Sequence, residues 1–183
     1  MIISNFDLKK KEIADRMISR AESGFYFLED FLRDKHGGTD AVFSRSLYIL
    51  LSYNSELILK SWLVLNSTTS NIDDLEKELK NSLHDFEKIS GKFAGNGLSD
   101  IGIKSITMTK QKSFIEYIVE TSDDSKVLVQ DFTNVRYDFI SDDLRNIDGY
   151  EMDRMKTEIE SLLQVIKVIR TKASVVKGMN RMR

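Results

Sequence analysis

Hydrophobic residues recur along most of this chain at spacings of three and four, the pattern that predicts amphipathic helices. One such stripe predicts a helix over residues 6–35, which two consecutive glycines then end. A second, more apolar stripe predicts a helix over 41–66, and a long final one covers 150–177. The apolar positions of the first two stripes are Ile13, Met17, Ala21, Phe25, Leu28 and Leu32, followed by Phe43, Leu47, Leu50, Leu51, Ile58, Trp62 and Leu65.

The helix predicted over 41–66 carries polar residues on both of its sides. Asn54 falls within the apolar stripe, and because a buried amide needs a partner we expect it to hydrogen-bond to a neighbouring helix. Glu56 and Lys60 project to the opposite side, four residues apart in the order that favours an ion pair. Leucine and isoleucine share that second side, so this helix is predicted to lie at the centre of a bundle.

A third helix is predicted to begin at the capping pattern Ser70-Asn71-Ile72-Asp73. Its apolar stripe continues to Phe93, and His84 projects about 140° from the centre of that stripe, which predicts an exposed or secondary position for the imidazole. The final helix carries a longer seam that suits either packing within a bundle, the commoner outcome, or dimerisation. That seam consists of Met152, Met155, Ile159, Leu162, Ile166, Ile169, Ala173 and Val176.

The stretch between these helices is ambiguous. Residues 113–120 are compatible with a short helix, but the same residues, a polar turn and the apolar run 126–130 equally make a hairpin. We favour a helix followed by an extended segment, with an irregular or β-like stretch around 120–132. The expected fold is therefore an all-α bundle of about five helices in a single domain covering 1–183.

Composition and charge narrow the chemistry. The 183 residues include no cysteine and two histidines, which excludes disulfides and thiol catalysis and leaves little material for a zinc centre or a histidine-based triad. We therefore expect no metal and no cofactor. Lysine and arginine number 27 against 29 acids, so no overall positive field attracts nucleic acid.

The positive charge is nevertheless concentrated at one end. From Ser161 to Arg183 there are six cations and no acid. Such a run most often complements the dipole of its own helix, and phosphate binding is the functional alternative. The candidate phosphate contacts are Lys172, Lys177, Arg181 and Arg183.

No export signal or membrane span is predicted. The chain starts without a basic flank leading into an apolar core, and the most apolar stretch, 46–65, is interrupted by Asn54, Glu56 and Lys60. These features favour a cytoplasmic protein with no membrane partner.

Three short motifs resemble those of HEPN-type domains. The run Tyr53-Asn54-Ser55-Glu56-Leu57-Ile58-Leu59-Lys60-Ser61-Trp62-Leu63 resembles the Glu-Leu-x-Leu-Lys-Ala-x-Leu helix of that family. His84-Asp85-Phe86-Glu87-Lys88-Ile89 is similar to its His-Asp-Leu-x-x-Leu motif, and Val135-Arg136-Tyr137-Asp138-Phe139 is similar to its Arg-Tyr element. The order, the spacing and the long final helix also agree, and the resemblance covers about 41–176.

The resemblance implies a compact helical bundle, often a homodimer, of the kind common in prokaryotic defence and toxin–antitoxin systems. Many members bind or cut RNA, and others accompany a minimal nucleotidyltransferase. Cutting members carry an Arg-x(4–6)-His motif, whereas no histidine follows Arg136 here. The resemblance therefore implies a non-catalytic protein that binds RNA or a nucleotide. The residues carried over form a ligand groove or a structural polar cluster: Glu56, Lys60, His84, Asp85, Arg136 and Tyr137.

Two other functions are compatible with the same residues. One is a protein–protein interaction module, a homodimer or a heteromer, whose 152–176 seam faces a partner without nucleic acid. The other is a ribonuclease with a non-standard base, for which His84 is the imidazole nearest the motifs.

Overall fold

The computed structural model describes residues 4–33, 41–82, 85–93, 97–110, 115–130 and 149–178. Helices form most of this part of the chain, and a small antiparallel sheet joins them. In chain order the elements are α1 (Asn5–Arg33), α2 (Ala41–Asn66), α3 (Ile72–Asn81), α4 (Phe86–Ser90), a 3-10 turn (Ser99–Ile101), β1 (Ile103–Lys110), β2 (Ile115–Thr121), β3 (Lys126–Gln130) and α5 (Gly149–Gly178).

Side-chain caps define where three of the helices begin. At α1, Ser4 Oγ accepts the backbone N–H of Asp7, and the Asp7 carboxylate accepts the N–H of Ser4, a reciprocal capping box. At α3 the Asn71 side chain accepts the N–H of Asp74 at 2.9 Å. The predicted third helix does not run on to Phe93, because Asp85 caps a separate short helix, α4.

Helix α2 lies at the centre of the fold, as its two apolar sides predict. Between residues 51 and 64 every side chain is buried except those of Tyr53 and Lys60, which are partly exposed. Serines on this helix satisfy their hydroxyls locally, since Ser55 and Ser61 donate to backbone carbonyls of the preceding turn at 2.7 Å. These two serines are therefore buried without needing hydrogen-bond partners on another element.

The seam of α5 packs inside the chain. Its described members are all buried against α1, α2 and the sheet: Met152, Met155, Ile159, Leu162, Ile166, Ile169 and Ala173. Of the two uses that the sequence allows for such a seam, packing within the fold is the one observed. The buried seam leaves those residues no free apolar surface for a partner.

The helix favoured for residues 113–120 is absent from its described part, 115–120, which lies in a three-stranded antiparallel sheet. The strand order is β1-β2-β3, and β2 pairs with both neighbours, with Tyr117 opposite Met108 and Val129. On β2 the buried Tyr117, Val119 and Thr121 alternate with half-buried Ile118 and Glu120, the period of two that a strand requires, and Glu116 near the start of the strand is buried as well. The favoured helix was therefore wrong and the hairpin alternative is confirmed. The turn between β2 and β3 has its left-handed residue at Asp124 (φ 66°), a residue type that tolerates this conformation.

None of the helices in the described ranges is both long enough and apolar enough to cross a membrane.

Candidate functional site

Glu56 and Lys60, two of the residues carried over by the resemblance, form a largely buried ion pair. Lys60 Nζ lies 2.6 Å from Glu56 Oε1, and the two side chains are only 13% and 6% exposed. The spacing of four residues predicts the pair, but the sequence does not show that the second side of α2 is covered. Because its ammonium is already engaged, Lys60 has little capacity left for an anionic ligand.

Asp85 has a structural position at the start of α4. Its Oδ1 accepts the backbone N–H groups of Glu87 and Lys88 at 3.0 Å. The hydroxyl of Tyr117 approaches the same oxygen at 3.4 Å, and the Tyr117 ring stacks on Phe86 with centroids 5.1 Å apart. Asp85 thus joins α4 to β2. The other three members of the predicted cluster, His84, Arg136 and Tyr137, lie outside the described residues.

The predicted phosphate contacts at the carboxyl end are described only in part. Lys172 Nζ lies 3.3 Å from Asp100 Oδ1, so this cation is paired with an acid of the 3-10 turn. The side chain of Lys177, together with Arg181 and Arg183, lies outside the described residues.

Glu158 on α5 is a buried carboxylate that no pattern in the sequence indicates. Its Oε1 accepts the backbone N–H of Leu128 at 3.2 Å, which satisfies a donor on the edge strand β3. Arg154 Nε lies 3.3 Å from the same oxygen but without hydrogen-bond alignment, and Glu158 Oε2 has no hydrogen-bond partner. Burial raises the pKa of Glu158 to about 7, outweighing the Leu128 hydrogen bond and the Arg154 charge, which both lower it. No local sequence pattern predicts the burial of Glu158, since Arg154 and Glu158 have the spacing of an ordinary surface ion pair.

The outer surface of α1 carries a different arrangement, a line of exposed cations that we call the basic stripe: Lys9, Arg16 and Arg20. Projected at 100° per residue, the three fall within an arc of about 40°. Within the described part of the chain none of them makes an ion pair or a side-chain hydrogen bond.

Neighbouring cations on the same helix are engaged instead. Lys10 is buried, with its Nζ 2.9 Å from the carbonyl oxygen of Ser67 and 3.0 Å from Asp7. Lys11 pairs with Asp15 at 2.6 Å, and Arg33 pairs with Asp30 at 2.9 Å. The three cations of the basic stripe therefore differ from the other cations of α1 in having no described counter-ion.

An open groove of about 570 Å³ adjoins the basic stripe where α1 passes α2. Its apolar lining consists of Ile13, Met17 and Leu57. Its polar lining consists of Arg16, Arg20, Asp15 and Ser19. Asp15 is already paired with Lys11, so the arginines are the free charges of the groove. Their spacing of four, opposite the apolar stripe of the helix, is the signal in the sequence that could have identified them.

No protein-family model matches this sequence, and no curated protein or solved structure is similar enough to be identified as a relative. In the described ranges no three histidine, aspartate or glutamate side chains come together in a way that could hold a metal ion.

Proposed function

We propose that this chain is a non-catalytic, HEPN-like helical protein that binds RNA. Among the described residues, the basic stripe on α1 is the main surface that contacts the RNA phosphates. The observation that carries the proposal is the exposure of Lys9, Arg16 and Arg20 in one line without described counter-ions. Such a line can neutralise successive phosphates, and the release of their counter-ions supplies the binding free energy.

The HEPN-like assignment rests on the three motifs within 41–176, and with it comes the expectation of a prokaryotic defence or toxin–antitoxin system. The non-catalytic part rests on imidazole chemistry. RNA cleavage without a metal needs an acid or base that titrates near neutrality, usually histidine. Neither His36 nor His84 follows an arginine at the family's spacing, so the ribonuclease alternative would need His84 as an unusual base.

The position of the contact differs from those that the resemblance and the basic carboxyl-terminal run predict. Lys60 is paired with Glu56 and largely buried, and Lys172 is paired with Asp100. A ligand would have to break these ion pairs before it gained either lysine. Arg16 and Arg20 require no such exchange, which supports the outer surface of α1 as the phosphate-binding surface.

An interaction module built on the α5 seam is less well supported. That alternative needs the apolar residues of 152–176 to face a partner, and the described ones are buried within the chain. A homodimer through another surface stays a prediction, for which the oligomeric state in solution is the measurement.

The proposal is tested by the fluorescence anisotropy of a labelled single-stranded RNA of about 12 nucleotides, titrated with protein at several salt concentrations. We expect affinity to fall with salt, and each of Arg16→Ala and Arg20→Ala to reduce the slope of log K against log salt by about 0.7. Lys77→Ala on α3 is the control, because it removes the same charge from a lysine already paired with Asp74. Binding that is absent at low salt, or that does not respond to salt, would contradict the proposal.

A further inference from the structure

Two consecutive aromatic residues lie exposed on α1 beyond the basic stripe. The side chain of Phe27 is 59% exposed and that of Tyr26 is 47% exposed. The neighbouring Phe25 and Leu28 are completely buried, so the same helix packs apolar side chains in the core on its other side. Water-exposed faces of Phe27 and Tyr26 are therefore available to a planar ligand.

Phe27 is aligned with the cations. It follows Arg20 by seven residues and Arg16 by eleven, which places it within about 20° of each of them around the helix. Along the axis it lies about 16 Å from Arg16 and about 27 Å from Lys9. Exposed Ser23 lies between Arg20 and Phe27 on the same side of the helix. Tyr26 lies about 100° further round, at the border of the same surface.

The acids that border this surface do not cancel its charge. Asp30, one turn beyond Phe27, is paired with Arg33 at 2.9 Å. Glu12 is exposed between Lys9 and Arg16, so the three cations and this one acid leave a net charge of +2. The surface thus combines positive charge at one end with exposed aromatic rings at the other.

We propose that this surface binds single-stranded nucleic acid, with unpaired bases stacked on Phe27 and Tyr26 and the backbone phosphates along Arg20, Arg16 and Lys9. The inference rests on the proposed RNA-binding function and defines the class of strand that it takes. A duplex keeps its base faces stacked inside, so an aromatic platform selects single strands. Because every base has a π-face, the platform imposes little sequence preference.

Stacking and phosphate contact make different, measurable predictions. Phe27→Ala removes a stacking partner, so we expect it to weaken single-strand binding at least about fivefold. It removes no charge, so the salt slope should be unchanged, whereas Arg16→Ala and Arg20→Ala lower the slope. Phe27→Leu keeps an apolar side chain without a π-face, and we expect it to lose affinity as Phe27→Ala does. Leu8→Ala is the matched control, since Leu8 is a 50% exposed apolar residue near the other end of α1.

The experiment is anisotropy with three probes of one sequence: the RNA strand, the corresponding DNA strand and the RNA duplex. Similar affinity for the RNA and DNA strands supports recognition through bases and phosphates, which both strands have. A preference for the RNA strand supports the same recognition with an added contact to the 2′-hydroxyl. Wild-type affinity in both Phe27 variants, or equal affinity for duplex and single strand, overturns this inference. Either result leaves the proposed function intact if Arg16→Ala still lowers the salt slope. Failure of wild-type protein to bind any probe at low salt overturns the proposed function itself.

Discussion

The centre of α2 and the outer surface of α1 have charged residues at the same spacing, but in α2 they form a buried ion pair and on α1 they are exposed and have no described partner. Glu56 and Lys60 are four residues apart with opposite signs, and they pair inside the fold. Arg16 and Arg20 are also four apart, but both are positive, exposed and without a described partner. Like charges at this spacing repel by a few tenths of a kcal/mol, so the spacing of the two arginines does not stabilise α1.

The difference separates charges that hold the structure from charges available to a ligand. A buried pair is costly to break because each member would be left without water or a counter-ion. An exposed pair of arginines exchanges only water and ions when a phosphate approaches. Substitutions in the two regions should therefore affect two different measurements, stability in α2 and binding on α1.

The largest effect is expected at Glu56. Glu56→Ala leaves the ammonium of Lys60 largely buried and without its partner, so the free energy of unfolding should fall by about 3–5 kcal/mol. Urea denaturation measures this. Glu76→Ala is a close control, because Glu76 and Lys80 have the same spacing and the same 2.6 Å separation but lie exposed on α3. If both variants lost the same stability, burial would not distinguish the two pairs.

Glu158 provides a pH-dependent counterpart to the buried pair. Its pKa is about 7 in the folded protein against 4.5 for an ordinary glutamate, so folding favours the protonated carboxyl. This contribution is fully present below about pH 4.5 and is lost as the pH rises through about 7. Glu158→Gln keeps an acceptor for Leu128 without the charge, so at pH 8 it should be more stable than wild type by up to about 3 kcal/mol.

Urea unfolding of wild type and Glu158→Gln at pH 5 and pH 8 tests this. The stability difference should be small at pH 5 and large at pH 8. Glu160→Gln, an exposed substitution on the same helix, is the control and should change the free energy of unfolding by less than about 0.5 kcal/mol. A difference between wild type and Glu158→Gln that is equal at both pH values would contradict the assignment.

A smaller effect is expected where α1 and α2 touch. An added Cβ at Gly24 would lie 2.6 Å from Cγ of buried Asn54, closer than packed atoms allow. Gly24→Ala should cost about 1–3 kcal/mol of unfolding free energy, and adding Asn54→Ala should recover part of that loss. Ser23→Ala, on the outer side of the same helix, should change stability by less than about 0.5 kcal/mol. Full additivity of the Gly24 and Asn54 substitutions would show that the close approach is not the cause.

The smallest effect on stability is expected at the arginines. Arg16→Ala and Arg20→Ala remove exposed side chains with no described partner, so unfolding free energy should stay within about 0.5 kcal/mol of wild type. The same variants should still lower the salt slope of RNA binding. A loss of stability comparable to that of Glu56→Ala would place these arginines among the structural charges.

Local patterns predicted the long helices well. The helix over 41–66 has the predicted bounds, and the final helix differs by one residue at each end. The first stripe was partly misplaced, since Ala14 and Ile18 are buried while Ile13 and Met17 are half-buried. Asn54 lies between helices as expected, against Gly24, but its Nδ2 has no hydrogen-bond partner among the described residues.

The candidate site was less predictable. The ion pair of Glu56 and Lys60 follows from spacing, whereas the helix-capping position of Asp85 was not predicted, because the apolar stripe predicts one continuous helix through residue 85. The burial of Glu158 does not follow from either, because β3 is brought to α5 across the fold. His84, Arg136 and Tyr137 lie outside the described residues, so the predicted cluster as a whole stays a prediction.

The sequence by itself determined the three long helices, because the period of 3.6 acts within a few positions along the chain. Tertiary structure alone decided between strand and helix for 115–121, where cross-strand pairing and burial outweigh weak local preference. It also decided which charges are structural. Glu56–Lys60 and Glu76–Lys80 are the same local pattern, and only the packing of other elements around α2 removes one pair from water and leaves the other in it.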